Sequence, residues 1–138
     1  MTQFKKYQIL EHISDLKIRV FGKTKEELFL NALLGMAENQ KPEIKGKQKT
    51  KRQIKIESLD LPALLVDFLG EALYLSQVNK EVYFDASFKN FSNTELRGEL
   101  IGQKVERFGE DIKAVTYYGL DIHQRKDGSW EAIILFDI

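Results

Sequence analysis

The segment 130–138 is apolar on both of its alternating faces: Trp130, Ala132, Ile134 and Phe136 fall on one, Ile133 and Leu135 on the other. A strand of that composition has to be covered on both sides, so the spacing predicts a central strand of a sheet. The end of the chain is thereby drawn into the core. Asp127-Gly128 just upstream is a strong hairpin signal leading into that strand. A candidate neighbour from the start of the chain is Leu16-Lys17-Ile18-Arg19-Val20, which has the period-2 alternation of a half-buried strand.

Between these strands the periodicity changes. Thr24 stands three residues before Glu27, a capping-box signature, and Leu28-Phe29, Ala32-Leu33 and Met36-Ala37 recur at helical spacing, predicting a helix over 25–38. Residues 39–51 are polar and lysine-rich, with Pro42 and Gly46 as breakers, and read as a connection before a short strand at 54–56. Asp60 and Pro62 start a second helix, whose stripe of Leu64-Leu65, Phe68-Leu69, Ala72-Leu73 and Leu75 closes near Asn79. Strands are expected at 82–88 and 96–100, a polar connection at 103–111, and a strand at 113–122. The order β-α-β-α-β-β-β-β gives an α+β fold of one domain spanning 1–138, with two helices packed on a mixed β-sheet.

Composition narrows function mainly by exclusion. With 43% hydrophobic and 30% charged residues the chain reads as globular, and its formal net charge of zero offers no global field for nucleic acid or membrane. The absence of cysteine removes disulfides, thiolate metal sites and thiol nucleophiles. Two histidines exclude a three-histidine zinc site. No stretch of signal-peptide type opens the chain, and no window has the ~18–20 apolar residues of a membrane span. A cytoplasmic location is expected. No nucleophile elbow, dinucleotide glycine fingerprint or Walker loop is present.

What remains is a set of carboxylates. Pairing of the first and last strands would bring Asp15 to the same end as Asp137 and the terminal carboxylate of Ile138. Three such groups can supply oxygen ligands to a hard divalent cation, with water or carbonyls completing the shell. Against this, Asp137 can simply pair with Lys113 or a neighbouring backbone amide. His12 lies three residues before Asp15 and faces the opposite side of an ideal strand, so joint action requires a bulge or turn. Lys113 either caps a strand end in solvent or is a cation beside the acidic pocket, available to a phosphate or a partner carboxylate. His123, among polar neighbours, has no assigned role. Lys41, Lys45, Lys47, Lys49, Lys51 and Arg52 form a basic 41–52 loop against one acid, Glu43, but without the interleaved aromatics of a stacking platform.

His12-Ile13-Ser14-Asp15, Glu71-Ala72-Leu73-Tyr74-Leu75, the run from Lys113-Ala114-Val115-Thr116 to Gly119-Leu120, and Leu135-Phe136-Asp137-Ile138 together resemble the archease family, in order and across essentially the whole chain. The resemblance implies a strand-helix-strand-strand (SHS2-like) architecture. It further implies a cytoplasmic, non-enzymatic, chaperone-like activator of an RtcB-type RNA ligase in tRNA splicing and RNA repair, promoting ligase guanylylation and multiple turnover. RNA contact would be indirect, through the ligase. By the same resemblance Asp15, Asp137 and Ile138 bind a divalent metal ion, calcium or another hard cation, and His12 and Lys113 serve ligase activation. Tyr118 stands where the family commonly has His, and Leu16-Lys17-Ile18 where it commonly has Ile-Gly-Ile. Competing readings are a general chaperone or RNA-binding adaptor using the 41–52 loop, and a small hydrolase using Asp15 and Asp137.

Overall fold

β2 (Asp15–Gly22) and β7 (Trp130–Asp137) pair antiparallel over their whole length, from Asp15↔Asp137 to Gly22↔Trp130. The computed structural model describes residues 4–10 and 15–138. β7 is central, as its two apolar faces require: β1 (Tyr7–Leu10) and β2 lie on one side and β6 (Ala114–Gln124) on the other, giving the order β1-β2-β7-β6. A second, three-stranded sheet has the order β3-β5-β4, from β3 (Pro42–Glu57), β4 (Glu81–Phe91) and β5 (Glu95–Phe108). The α+β class and the two helices are as expected. The strands divide between two sheets, and each described pairing is antiparallel.

α1 (Lys25–Asn39) and α2 (Leu61–Asn79) each pack on both sheets, α1 against β2 and β4, α2 against β6 and β4. Their starts follow the sequence signals. The Thr24 hydroxyl accepts from Glu27 N–H at 3.1 Å, while the Glu27 carboxylate accepts from Lys23 N–H at 3.1 Å. The Asp60 carboxylate accepts from Ala63 N–H at 2.9 Å. Phe29 and Phe68 are fully buried with ring centroids 5.6 Å apart, and Phe91 meets Phe29 edge-on at 4.9 Å. By length and hydropathy alone α2 meets the minimum for a membrane span. In the fold its Leu64, Leu65, Phe68, Leu69 and Ala72 are fully buried in the core.

Two expected connections are strand. Residues 42–57 form β3, and 103–108 belong to β5. Among the described residues β3 pairs only with β5, and its first half is exposed on both faces, so backbone bonds hold it and no apolar alternation marks it. Pro42 is tolerated as the first residue of an edge strand, and Gly46, with φ 71°, sits inside the register shift between Ile44 and Lys49. The lysines also suit an edge that must not pair with another chain. β5 comes close to the β4 backbone because positions 98 and 102 lack side chains: a Cβ would lie 2.1 Å from the Ser87 carbonyl oxygen at the first and 1.9 Å from that of Val82 at the second.

One buried acid ties the second sheet together. Glu81 on β4 is fully buried and accepts two hydrogen bonds from Arg52 of β3, both 2.9 Å, and one from the Tyr83 hydroxyl at 2.7 Å. Lys104 Nζ of β5 lies 3.2 Å away. Burial pushes the Glu81 carboxyl up, but the hydrogen bonds from Arg52, Tyr83 and Lys104 outweigh it and hold it at about 2, against an ordinary 4.5. Burial and the bond to Glu81 in turn raise the Tyr83 hydroxyl. A depressed folded-state value contributes stability that is complete above the unfolded value and is lost as pH falls through the folded one. Stability should therefore fall by about 3 kcal/mol between roughly pH 4.5 and 2 through this group alone. In Glu81→Gln, equilibrium denaturation across that window should show a visibly shallower acid slope; an unchanged slope would assign the acid lability to other carboxylates.

Candidate functional site

The site forms where the β2–β7 ladder ends. Leu16, Ile18 and Val20 of β2 and Ala132, Ile134 and Phe136 of β7 point to the helices, Ile18, Val20 and the three β7 residues being fully buried. Strand alternation then puts Asp15 and Asp137 together on the opposite face. They are direct register partners. Directly opposed residues in antiparallel strands have Cβ atoms about 4.5–5.5 Å apart, and like charges there cost roughly 0.2–1 kcal/mol. Asp137 is exposed and Asp15 partly so. The two acids thus meet at a solvent-facing edge, which avoids the burial cost an acid pair in the core would carry.

β6 supplies the third element. Ala114 is the register partner of Asp137, and the Lys113 N–H donates to the Asp137 carbonyl at 2.7 Å. Lys113 and Asp137 are therefore joined through the main chain, and Lys113 is exposed at the start of β6. Ile112, the residue before Lys113, is buried in the core. Ile138 follows on the helix-facing side, where it lines a cavity of about 180 Å³ with Leu16, Asn39, Lys41 and Glu110. Lys41, Asn39 and Glu110 were not legible as neighbours of this site. Lys41 turns the chain out of α1 with φ 49°, and its carbonyl accepts from Gly109 N–H at 2.7 Å. A non-glycine residue in that conformation gives no signal in sequence.

The remaining candidates separate from the site. His12 lies outside the described residues. His123 sits between Asp121 and Glu131, each 2.9 Å from a ring nitrogen, toward the far end of the same sheet. Tyr117 donates to Asp67 of α2, which also accepts from the Ser58 hydroxyl at 2.6 Å; that bond to Asp67, with some burial, raises the Tyr117 hydroxyl above its ordinary value. Tyr118 is 81% exposed. The expected basic 41–52 loop is the edge strand β3, and part of its charge is already engaged: Arg52 with Glu81, Lys51 with Glu99 at 3.8 Å, and Glu43 with Arg107 at 3.2 Å.

The profile of the Archease protein family matches residues 7–138. The chain belongs to the archease family. It is 38% identical to the protein archease of Methanosarcina barkeri, over 99% of both chains, and 33% identical to that of Pyrococcus furiosus, over all of both. Its fold is shared with protein 1598 of Methanobacterium thermoautotrophicum, at a TM-score of 0.70 and 23% identity, covering 98% of this chain and 100% of that one. It is shared equally with an archease of Thermotoga maritima described as a possible chaperone, at 0.68 and 19%, covering both chains completely.

The fold of this archease brings Asp15, Asp137, Ile138 and Lys113 to one sheet end. Among the described residues, no three His, Cys, Asp or Glu side chains converge closely enough to hold a metal by themselves. The carboxylates of Asp15 and Asp137 are hard oxygen groups of the kind that suit calcium or a similar cation. Charge opposition gives this arrangement a signature in stability. With divalent cations chelated, Asp137→Asn should raise the melting temperature by about 1–4 °C, from removal of the ~0.2–1 kcal/mol repulsion. Added calcium should raise the melting temperature of the wild type and leave that of the variant. A drop in the chelated variant would mean that the carboxylate holds the strand end structurally.

Proposed function

We propose that this archease is a non-enzymatic activator of an RtcB-type RNA ligase in tRNA splicing and RNA repair, acting in the cytoplasm through the sheet end that carries Asp15, Asp137 and Ile138. The observation that carries the reading is the direct register opposition of Asp15 and Asp137 on an exposed edge. A fold that only needed its strands closed would be better served by an opposite-charge pair at that position. Two opposed carboxylates instead form a receptor for positive charge.

Each residue at the tip then has a part. Asp15 and Asp137 hold the cation, with the Ile138 carboxylate as a third oxygen group. A divalent cation, when bound, neutralises phosphate charge of the kind that develops in nucleotidyl transfer. The side chain of Lys113, whose backbone is fixed to that of Asp137, presents a positive charge to a nucleotide phosphate or a ligase carboxylate. His12 precedes the pair and belongs to the same activation set. Exposure of the tip suits insertion into a partner's active site, and the rigid ladder behind it keeps the charges in register.

The test is guanylylation of the cognate ligase by GTP with substoichiometric archease. Wild type should accelerate labelling and support repeated turnover; Asp137→Ala should lose about tenfold or more of that acceleration, the scale of losing a metal-positioning group. Lys113→Ala should fall similarly while keeping its melting temperature. Residues appended after Ile138 should impair activity more than an equal extension before Met1. Wild-type activation by Asp137→Ala would end this reading.

A further inference from the structure

The opposite end of the same ladder has the opposite character. Gly22↔Trp130 lies seven residues from Asp15↔Asp137, roughly 23 Å at ~3.3 Å per residue. There a cleft of about 470 Å³ is lined by Phe4, Lys5, Gln8, Phe21, Lys23, Arg125 and Asp127. Its cations lie over aromatic rings: Lys23 Nζ is 5.6 Å from the Phe4 centroid and Arg125 Cζ 5.3 Å from that of Phe21. Next to them Lys25 Nζ is 5.1 Å from the Trp130 ring. Among the described residues, none of Lys5, Lys23 and Arg125 forms an ion pair with a carboxylate. The single acid, Asp127, is turned to its own hairpin, accepting from the Ser129 N–H at 2.9 Å and hydroxyl at 2.6 Å.

We propose that this cleft binds single-stranded nucleic acid. Lys5, Lys23 and Arg125 line one cleft as cations available to the backbone phosphates of a strand, and the part-exposed Phe4 ring and the planar Arg125 guanidinium offer surfaces on which a base can stack. Interleaved aromatic and basic groups are what β3 lacks, and here they share one concavity. The volume fits about one nucleotide, which favours a flexible strand over a duplex. An acidic peptide would satisfy the charges but leave the rings without a partner. The proposal is independent of the ligase reading and is measured without a ligase.

Binding of a fluorescently labelled short oligouridylate to the intact protein, followed by anisotropy, is the experiment. Neutralising three phosphates predicts a slope of about −2 in log affinity against log salt, at ~0.7 per contact for single strands. Lys23→Glu with Arg125→Glu should weaken binding at least about tenfold and flatten the slope by about 1.4. Phe4→Ala should weaken it about fivefold or more with the slope unchanged, since only stacking is lost. Lys47→Glu with Lys49→Glu, on β3, should bind as wild type. All of these side chains lie on the surface, and unchanged melting temperatures will show that the variants are folded. No binding at low salt, equal loss in the β3 variant, equal competition by polyglutamate, or equal affinity for uridine monophosphate would each overturn the proposal.

Discussion

The pairing of β2 with β7 is the constraint on which the rest of the molecule depends. It joins residues 15–22 to residues 130–137 in one unbroken ladder and so closes the four-stranded sheet around the last strand. Its register is locked by burial. Ile18, Val20, Ala132, Ile134 and Phe136 are all fully buried against the helices, and a slip of one residue would send every one of them to the solvent side. Core packing along the middle of the ladder therefore fixes what happens at its two ends. The same register that hides Phe136 sets Asp137 against Asp15 and Gly22 against Trp130.

A formal net charge of zero conceals this arrangement. Asp15 and Asp137 meet at one end of the ladder and Lys5, Lys23 and Arg125 line a cleft at the other, roughly 23 Å away at ~3.3 Å per residue; at physiological salt the screening length is about 8 Å, so each group of charges acts locally. A partner meeting one end does not feel the other. Summed composition reports only the total charge and carries no information on how charges are distributed along the ladder.

What was legible in sequence follows from how directly a side-chain pattern reports burial. Both helices and their caps were legible because Thr24, Asp60 and Pro62 announce starts and the apolar stripes repeat at the helical period. The central position of β7 was legible because Ile133 and Leu135 make its second face apolar as well. β3 was not, since an edge strand exposed on both faces has no burial to report and its Pro42 and Gly46 imitate a loop. Nor was β1, a four-residue strand with exposed Gln8 and Ile9. Asp15 and Asp137 were legible as candidates because charges stood beside core strands. Lys41 and Glu110 come to the same end through a left-handed turn and long-range backbone bonds, which no local pattern encodes. The basic-aromatic cleft was invisible for the same reason, being assembled from residues near 4, 22 and 125.

Two acidic arrangements in this fold follow opposite physical logic, and the contrast separates scaffold from site. Glu81 is fully buried and has donors from three side chains, so its charge is spent inside the structure holding β3, β4 and β5 together. Nothing further can be recruited there without breaking the sheet. Asp137 is exposed and faces a second carboxylate across the ladder, so the fold is held in register despite its charge. Two acids set opposite each other go against local preference, as do Lys55↔Arg97 and Glu57↔Glu95 on β3 and β5, where Lys55 pairs with Glu57 and Arg97 with Glu95 on their own strands. At Asp15 and Asp137 the violation is cheap to maintain, because roughly 1 kcal/mol or less of like-charge repulsion is small against the burial that locks the ladder. A strand pair this firmly seated can hold two carboxylates opposite each other at its solvent-facing end.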